Sequence, residues 1–261
     1  MKQITWPIAS VMMTAVVSAE EFPRLDEALP LYVNIQGQEP LFDFDTDGCY
    51  PASGISRNGK MNSGLKNSGA LNGSCRDAGF LDISNTLHRY ACIDSHGARY
   101  CGHFYALYFE KDQVSSGWDL FGHRHDWEHV AIWTKNGVIT HASYSAHGQL
   151  NTKSATELSK EGSHIKFVYH KDGPSTHAFR FAKQGEVAEN HYVRWVIPTI
   201  TSWYQLSGDG ISNQDMRTRL NTFDYGSAHV PLKDNNFQKN INIFKPIGFP
   251  DFTKESIDLS H

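Results

Sequence analysis

Gly122-His123-Arg124-His125-Asp126-Trp127-Glu128-His129-Val130-Ala131-Ile132-Trp133 is the stretch of this 261-residue chain from which the rest can be read. Its second half is apolar, β-branched and aromatic, the composition of a buried strand. Of its first eight residues, six carry charge or can bind a metal. On a strand, side chains alternate between faces. Asp126 and Glu128 therefore point one way, and His125, Trp127 and His129 the other. Trp127 is expected in the core, with His125 and His129 as hydrogen-bonded supports. Two carboxylates this close repel each other unless a cation lies between them. His123 follows Gly122, where irregular backbone can swing the imidazole toward the same point. Asp112, expected in the loop after a strand ending at Phe109, offers a third carboxylate. Such an oxygen-rich set favours Mg²⁺ or Ca²⁺, with Mn²⁺ also suitable, over Zn²⁺, which leans on His and Cys. The plain alternative is a solvated ion-pair cluster at a strand end.

Working outward, short segments rich in aromatic and β-branched residues recur: Tyr100–Phe109, Trp127–Trp133, Val138–Ser143, His164–Tyr169, His177–Phe181 and Val193–Pro198. Turn residues punctuate them, as at Lys135-Asn136-Gly137 and Lys171-Asp172-Gly173. This spacing predicts a mainly β fold, a sandwich or barrel. One helix is predicted over Asn213–Leu220, capped by Ser212 or Asn213. With no linker-like shift in composition, residues 20–261 read as a single domain.

The first 19 residues have the form of a secretory signal peptide. Lys2 supplies the positive start, Ile8–Val17 the apolar run, and Val17-Ser18-Ala19 the small residues of a cleavage site. Without that leader the chain keeps 23 basic against 28 acidic side chains. Bulk charge therefore attracts neither nucleic acid nor anionic lipid. In an exported chain, Cys49, Cys75, Cys92 and Cys101 imply two disulfides, and the sequence leaves three pairings open. The local pairing closes a polar loop over residues 51–74 and a short hairpin-like loop. Neither spacing fits a redox-active motif.

Gly122–Glu128, read as GHRHDWE, resembles the heptapeptide hallmark of the necrosis- and ethylene-inducing peptide-like proteins. Lys111-Asp112, Ser145-Ala146-His147-Gly148, Ser175-Thr176-His177, Phe223-Asp224-Tyr225-Gly226-Ser227-Ala228 and Val230-Pro231 extend the similarity over residues 42–237. The resemblance implies a β-sandwich flanked by short helices, similar to actinoporins and fungal lectins. It also implies a divalent cation held by Asp112, His123, Asp126 and Glu128. The implied target is the sugar headgroup of plant glycosylinositol phosphorylceramide, bound by a secreted, monomeric protein that then damages the host plasma membrane and is sensed by plant immunity. Four cysteines place the chain near the group with a second disulfide. Three stretches depart from the family pattern. The connection between Asp112 and His123 is longer and carries Trp118-Asp119-Leu120-Phe121, and the loop over 171–176 has no aromatic where toxic relatives often expose one. Gly102–Lys111 also diverges from the stretch that plant immunity recognises.

Within this reading, His147 and His177 are candidates to line the headgroup groove, although a buried, hydrogen-bonded histidine is the commoner role for each. Arg124 stands next to the ligands, on the other strand face in a regular pleat, where it could pair with a carboxylate or meet a phosphate. Three function classes compete: a cytolysin, a lectin-like elicitor that binds without damage, and a metal-dependent hydrolase with Glu128 as general base. No HExxH or GxSxG pattern supports the last.

Overall fold

Two long strands, β4 (Ala98–Asp112) and β6 (His123–Lys135), pair antiparallel from Tyr100 opposite Lys135 to Asp112 opposite His123. The computed structural model describes residues 22–260. The leader expected over 1–19 lies outside them. β4 and β6 form the centre of a six-stranded sheet in the order β12-β3-β4-β6-β7-β8, with β3 at Asn85–Ser95, β7 at Val138–Ala146, β8 at Gln149–Ser154 and β12 at Thr199–Ser202. β12 runs parallel to β3, and the other pairs are antiparallel. A smaller sheet joins β1 (Leu41–Phe44), β10 (His164–Lys171) and β11 (His177–Phe181), with β9 (Lys160–Glu161) beside β10. β2 (Ser68–Gly69) and β5 (Gly117–Trp118) form a separate short ribbon.

The central strands are buried on both faces. Phe42, Phe44, Phe167, Tyr169 and Phe179 of the small sheet pack on Tyr105, Leu107, Phe109, Val130 and Ile132. The opposite face presents Phe104, Tyr108, Trp127, Ala131 and Trp133 to the C-terminal third of the chain. That third contains the helices α2 (Asn213–Thr222), α3 (Phe237–Phe244) and α4 (Lys254–Asp258), while the single-turn helix α1 (Phe80–Ile83) precedes β3. The Ser212 hydroxyl caps α2 by accepting from the Asp215 N–H, as a β-region Ser at the N-cap does. The architecture is thus a β-sandwich flanked by short helices.

Three hairpins close through two-residue turns whose residues both have positive φ: His96-Gly97, Asn136-Gly137 and His147-Gly148. This is the turn whose twist matches that of the flanking strands. Other expectations are corrected. Val193–Pro198 is not a strand: Val193 adopts φ 51°, Pro198 has no N–H to donate, and Val196 alone bridges to Phe42 before pairing starts at Thr199. Asp112 and His123 are not in loops but are the terminal rung of the β4–β6 ladder. β3 was missed because Thr86, His88 and Arg89 interrupt its apolar pattern. All three are buried, and Arg89 reaches the C-terminal layer through the Leu232 carbonyl and Asp234.

Cys49 pairs with Cys75, and Cys92 with Cys101 directly across β3 and β4. The first bridge closes the polar loop, which is threaded with hydrogen bonds: Asn62 Nδ2 donates to the Ser53 carbonyl, and Asn67 Nδ2 to the carbonyls of Asp119 and Gly122. The bridges span 26 and 9 residues. In the chain-entropy picture the longer one contributes roughly 3–4 kcal/mol and the shorter roughly 2–3. Urea unfolding of Cys49→Ser/Cys75→Ser and of Cys92→Ser/Cys101→Ser should show the larger loss in the first variant. Equal losses would mean that native packing rather than loop closure sets the contribution.

Candidate metal centre and its groove

A regular strand cannot bring residues three apart to one face. Yet one ligand atom from each of Asp112, His123 and Asp126 lies within 4.8 Å of the others. The Glu110–His125 rung is missing from the β4–β6 ladder, and His125 adopts φ 62°. That conformation is uncommon outside glycine but is visited by His more than by most residues. Both strands change parity there. Asp126, opposite Phe109, faces the small sheet as its register requires, and the rung beyond the break, Asp112 with His123, joins it on that face.

The displaced residues are fixed from behind. The His125 ring turns to the opposite face, where Nδ1 is 2.6 Å from the Tyr108 hydroxyl and the ring packs edge-on to Tyr225. Arg124 donates to the Ser63 carbonyl and pairs with no carboxylate among the described residues. Gly64 makes room for both: a Cβ there would lie 2.6 Å from His125 Nδ1 and 2.8 Å from Arg124 Cγ. The His125 carbonyl points back and accepts from His123 Nδ1 at 2.6 Å. This bond fixes the tautomer and leaves Nε2 as the free lone pair.

Each acid has its own support. Asp112 is buried and accepts from the backbone N–H of His177 at 3.0 and 2.9 Å and from His177 Nδ1 at 2.6 Å. Asp126 accepts from the Tyr169 hydroxyl at 3.1 Å. Glu128 accepts from the Ser145 hydroxyl, whose oxygen in turn accepts from the His129 N–H. Glu128 lies outside the close trio, although it shares the face of Asp126. Burial raises the Asp126 carboxyl to about 7, and the charge of Asp112 adds to the rise. Burial, then the charge of Asp126, pushes Glu128 well up. With no cation, three carboxylates sit close together in a dry site that disfavours their charge. Ligand atoms on opposite sides of a hard divalent ion stand about 4–5 Å apart. The trio's ligand atoms lie within that span of one another, so these residues fit such an ion.

The trio floors one end of a groove of about 400 Å³. Ser145, His147 and Gln149 line one wall, and Ser227, His229 and Asn236 line the other. His147 Nε2 is held at 2.9 Å by Asp172 on the rim. His177, beneath Asp112, positions the acid rather than the groove wall. Trp127 and His129 pack toward the C-terminal layer, His129 stacked on Phe104, and both border the groove. Sequence reasoning had not singled out Tyr169, since a tyrosine in an aromatic strand reads as core, and had met Ser145 only within a resembling motif.

A family model described as necrosis inducing protein (NPP1) matches residues 35–243. NLP effector protein 3 of Phytophthora capsici is 31% identical over 200 residues, 74% of each chain. NLP effector protein 10 of the same organism is 28% identical over 207 residues, 75% of this chain and 76% of its own. A solved structure described as a toxin fold as basis for microbial attack and plant defense superposes with a TM-score of 0.67 at 26% identity, covering 87% of this chain and 98% of that one. The structure of NLPPya in complex with glucosamine matches with a TM-score of 0.62 at 27% identity, covering 79% and 86%. Together with the fold and the acidic groove, these matches show that the chain belongs to the NPP1 family of necrosis-inducing proteins.

Proposed function

We propose that this protein is a secreted cytolytic effector that uses a divalent cation in the groove to engage the sugar headgroup of glycosylinositol phosphorylceramide at the plant plasma membrane, which it then permeabilises. The observation that carries this reading is the cluster of His123 with the buried Asp112 and Asp126 at the floor of a polar groove, in a chain whose relative NLPPya is known in complex with glucosamine. The leader over 1–19 would export the chain, membrane damage would cause the cell death, and plant immunity would sense the protein. The reading is of a binding toxin rather than an enzyme, in keeping with a family of toxins and effectors.

Asp112, His123, Asp126 and Glu128 would hold the ion, the first three from the close cluster and Glu128 from beside it on the face of Asp126. Mg²⁺ and Ca²⁺ suit the donors best. Such an ion would compensate the buried charge and offer open positions to sugar hydroxyls. The chain's own groups do the rest. His177 and Tyr169 orient the two aspartates, His123 keeps Nε2 turned inward, and Ser145, Gln149 and Asn236 supply hydrogen-bonding groups along the groove walls.

Dye leakage from vesicles containing the glycolipid, with Mg²⁺ or Ca²⁺ and then with chelator, tests the whole reading. Leakage that stops in chelator is expected. Binding without leakage would instead identify a lectin-like elicitor, and hydrolysed lipid a metal-dependent hydrolase.

Asp126→Asn should abolish lysis and also give a result opposite in sign to simple misfolding. Because the folded Asp126 holds its proton up to about pH 7, against 3.8 for the free side chain, its contribution destabilises the metal-free protein increasingly as pH rises from about 4 to about 7. Below that window both states are protonated, and above it both are ionised. In chelator the asparagine variant should therefore melt higher than wild type, with a gain in unfolding free energy that grows across the window to at most about 4 kcal/mol. A variant that melts lower in chelator at pH 8 would overturn the repulsive site.

Added Mg²⁺ or Ca²⁺ should raise the melting temperature of the wild type above pH 7 and barely move that of Asp126→Asn. Equal shifts in both would place the ion elsewhere.

A further inference from the structure

Residues 113–122 leave the ladder at Asp112 and return at His123, so both ends of this excursion are tied to the metal centre. Within it Trp118, Leu120 and Phe121 are 86%, 80% and 81% exposed. Single apolar side chains on a surface are ordinary, but three large ones within four residues are not. The backbone keeps them out. Asp119 lies between them, buried, and its carboxylate accepts from the N–H groups of Val114, Ser115, Phe121 and Gly122. Asn67 holds the carbonyls of Asp119 and Gly122, and Gly117 and Trp118 pair with Gly69 and Ser68. A slack loop would fold these side chains against the body, whereas this one is braced in a shape that displays them. The loop over 172–176 that leads to His177, the partner of Asp112, carries Asp172, Gly173, Pro174, Ser175 and Thr176 and offers no large apolar group.

We propose that Trp118, Leu120 and Phe121 form an anchor that enters the interfacial layer of the lipid bilayer whose headgroups the groove engages. The proposal rests on the membrane target argued above and names the part of the chain that meets the acyl region. Phe121 is two residues from His123, at most about 7 Å of chain. A headgroup held at the trio thus brings the apolar part of its own membrane to the exposed side chains. Trp prefers the polar–apolar boundary, and Leu and Phe the layer beneath it. With 23 basic against 28 acidic side chains beyond the leader, bulk charge does not draw this protein to an anionic surface. Among the described residues no helix is long and apolar enough to cross a membrane. A short apolar anchor beside a headgroup site supplies what charge does not.

The test uses the full mature protein and vesicles of brominated phosphatidylcholine, with and without glycosylinositol phosphorylceramide. Alongside wild type, it uses the triple variant Trp118→Ser/Leu120→Ser/Phe121→Ser, which leaves the Asp119 brace in place. Trp118 fluorescence, obtained as the difference from the variant, should be quenched on glycolipid vesicles. The variant should bind those vesicles at least tenfold more weakly and release correspondingly less dye. Its affinity for the sugar headgroup freed from the same lipid should stay within twofold of wild type. Unquenched Trp118 together with unweakened vesicle binding overturns the anchor. So does a variant that loses the free headgroup as well, since the segment would then shape the groove. If wild type binds neither the free headgroup nor the glycolipid vesicles, the proposed function fails instead. The anchor is then decided on phosphatidylcholine alone, where quenching of Trp118 sustains it and no quenching overturns it.

Discussion

The strict two-residue period of a β-strand is the constraint on which this molecule turns. His123 and Asp126 differ by an odd number of residues, as do Phe109 and Asp112 across from them, so an unbroken ladder would scatter the acidic site over two faces. A single missing rung at Glu110–His125 shifts both strands together. The unusual backbone at His125 costs on the order of 1 kcal/mol or more and persists because the surroundings hold it. Tyr108 takes the ring, Gly64 leaves it room, and the His125 carbonyl is used by His123. The strain and the site thus share the same atoms.

The doubly covered sheet gives this arrangement its rigidity. Where β4 and β6 carry Phe104–Phe109 and Val130–Trp133, both faces are dry and every side chain is packed. The acids continue the same strands into the groove and inherit that stiffness. The burial that makes Asp126 and Glu128 reluctant to ionise is also what would make a cation beside them effective, since charges interact more strongly where water is excluded. Tyr169, His177 and Ser145 each come from a different strand of the two sheets, so the site depends on the sandwich being closed.

Much of this was legible in the sequence. The alternation after Asp126 placed Trp127 inside and Asp126 with Glu128 on one face, the Asn136-Gly137 turn marked a hairpin, and Ser212 marked a helix start. The heptapeptide named the family and with it the sandwich. The rest depended on long-range contacts. β3 is polar in sequence because its Arg89 pins Asp234, more than a hundred residues away, and Val193–Pro198 has strand composition without strand backbone. Asp112 reads as a loop residue until its partner His123 is known, and no local pattern announces that the ladder skips one rung. Periodicity reports the faces of a regular strand, and here the chemistry sits where the strand is irregular.

From Val130 onward β6 pairs with β7, whose Ser145 also reaches His129 and Glu128, but among the described residues no strand pairs with that side of β6 from His123 to Trp127. An open strand border is a template on which a second copy of the chain can stack, and proteins guard such borders with inward-pointing charge. Asp126 and Glu128 stand at this one. A folding chain passes through crowded, partly folded states, and there these two acids, still in water and ionised, penalise edge-to-edge stacking before burial raises their pKa values. The acids beside the groove thereby also protect the protein from its own copies. Replacing them with apolar residues for stability would remove a barrier to aggregation along with the site.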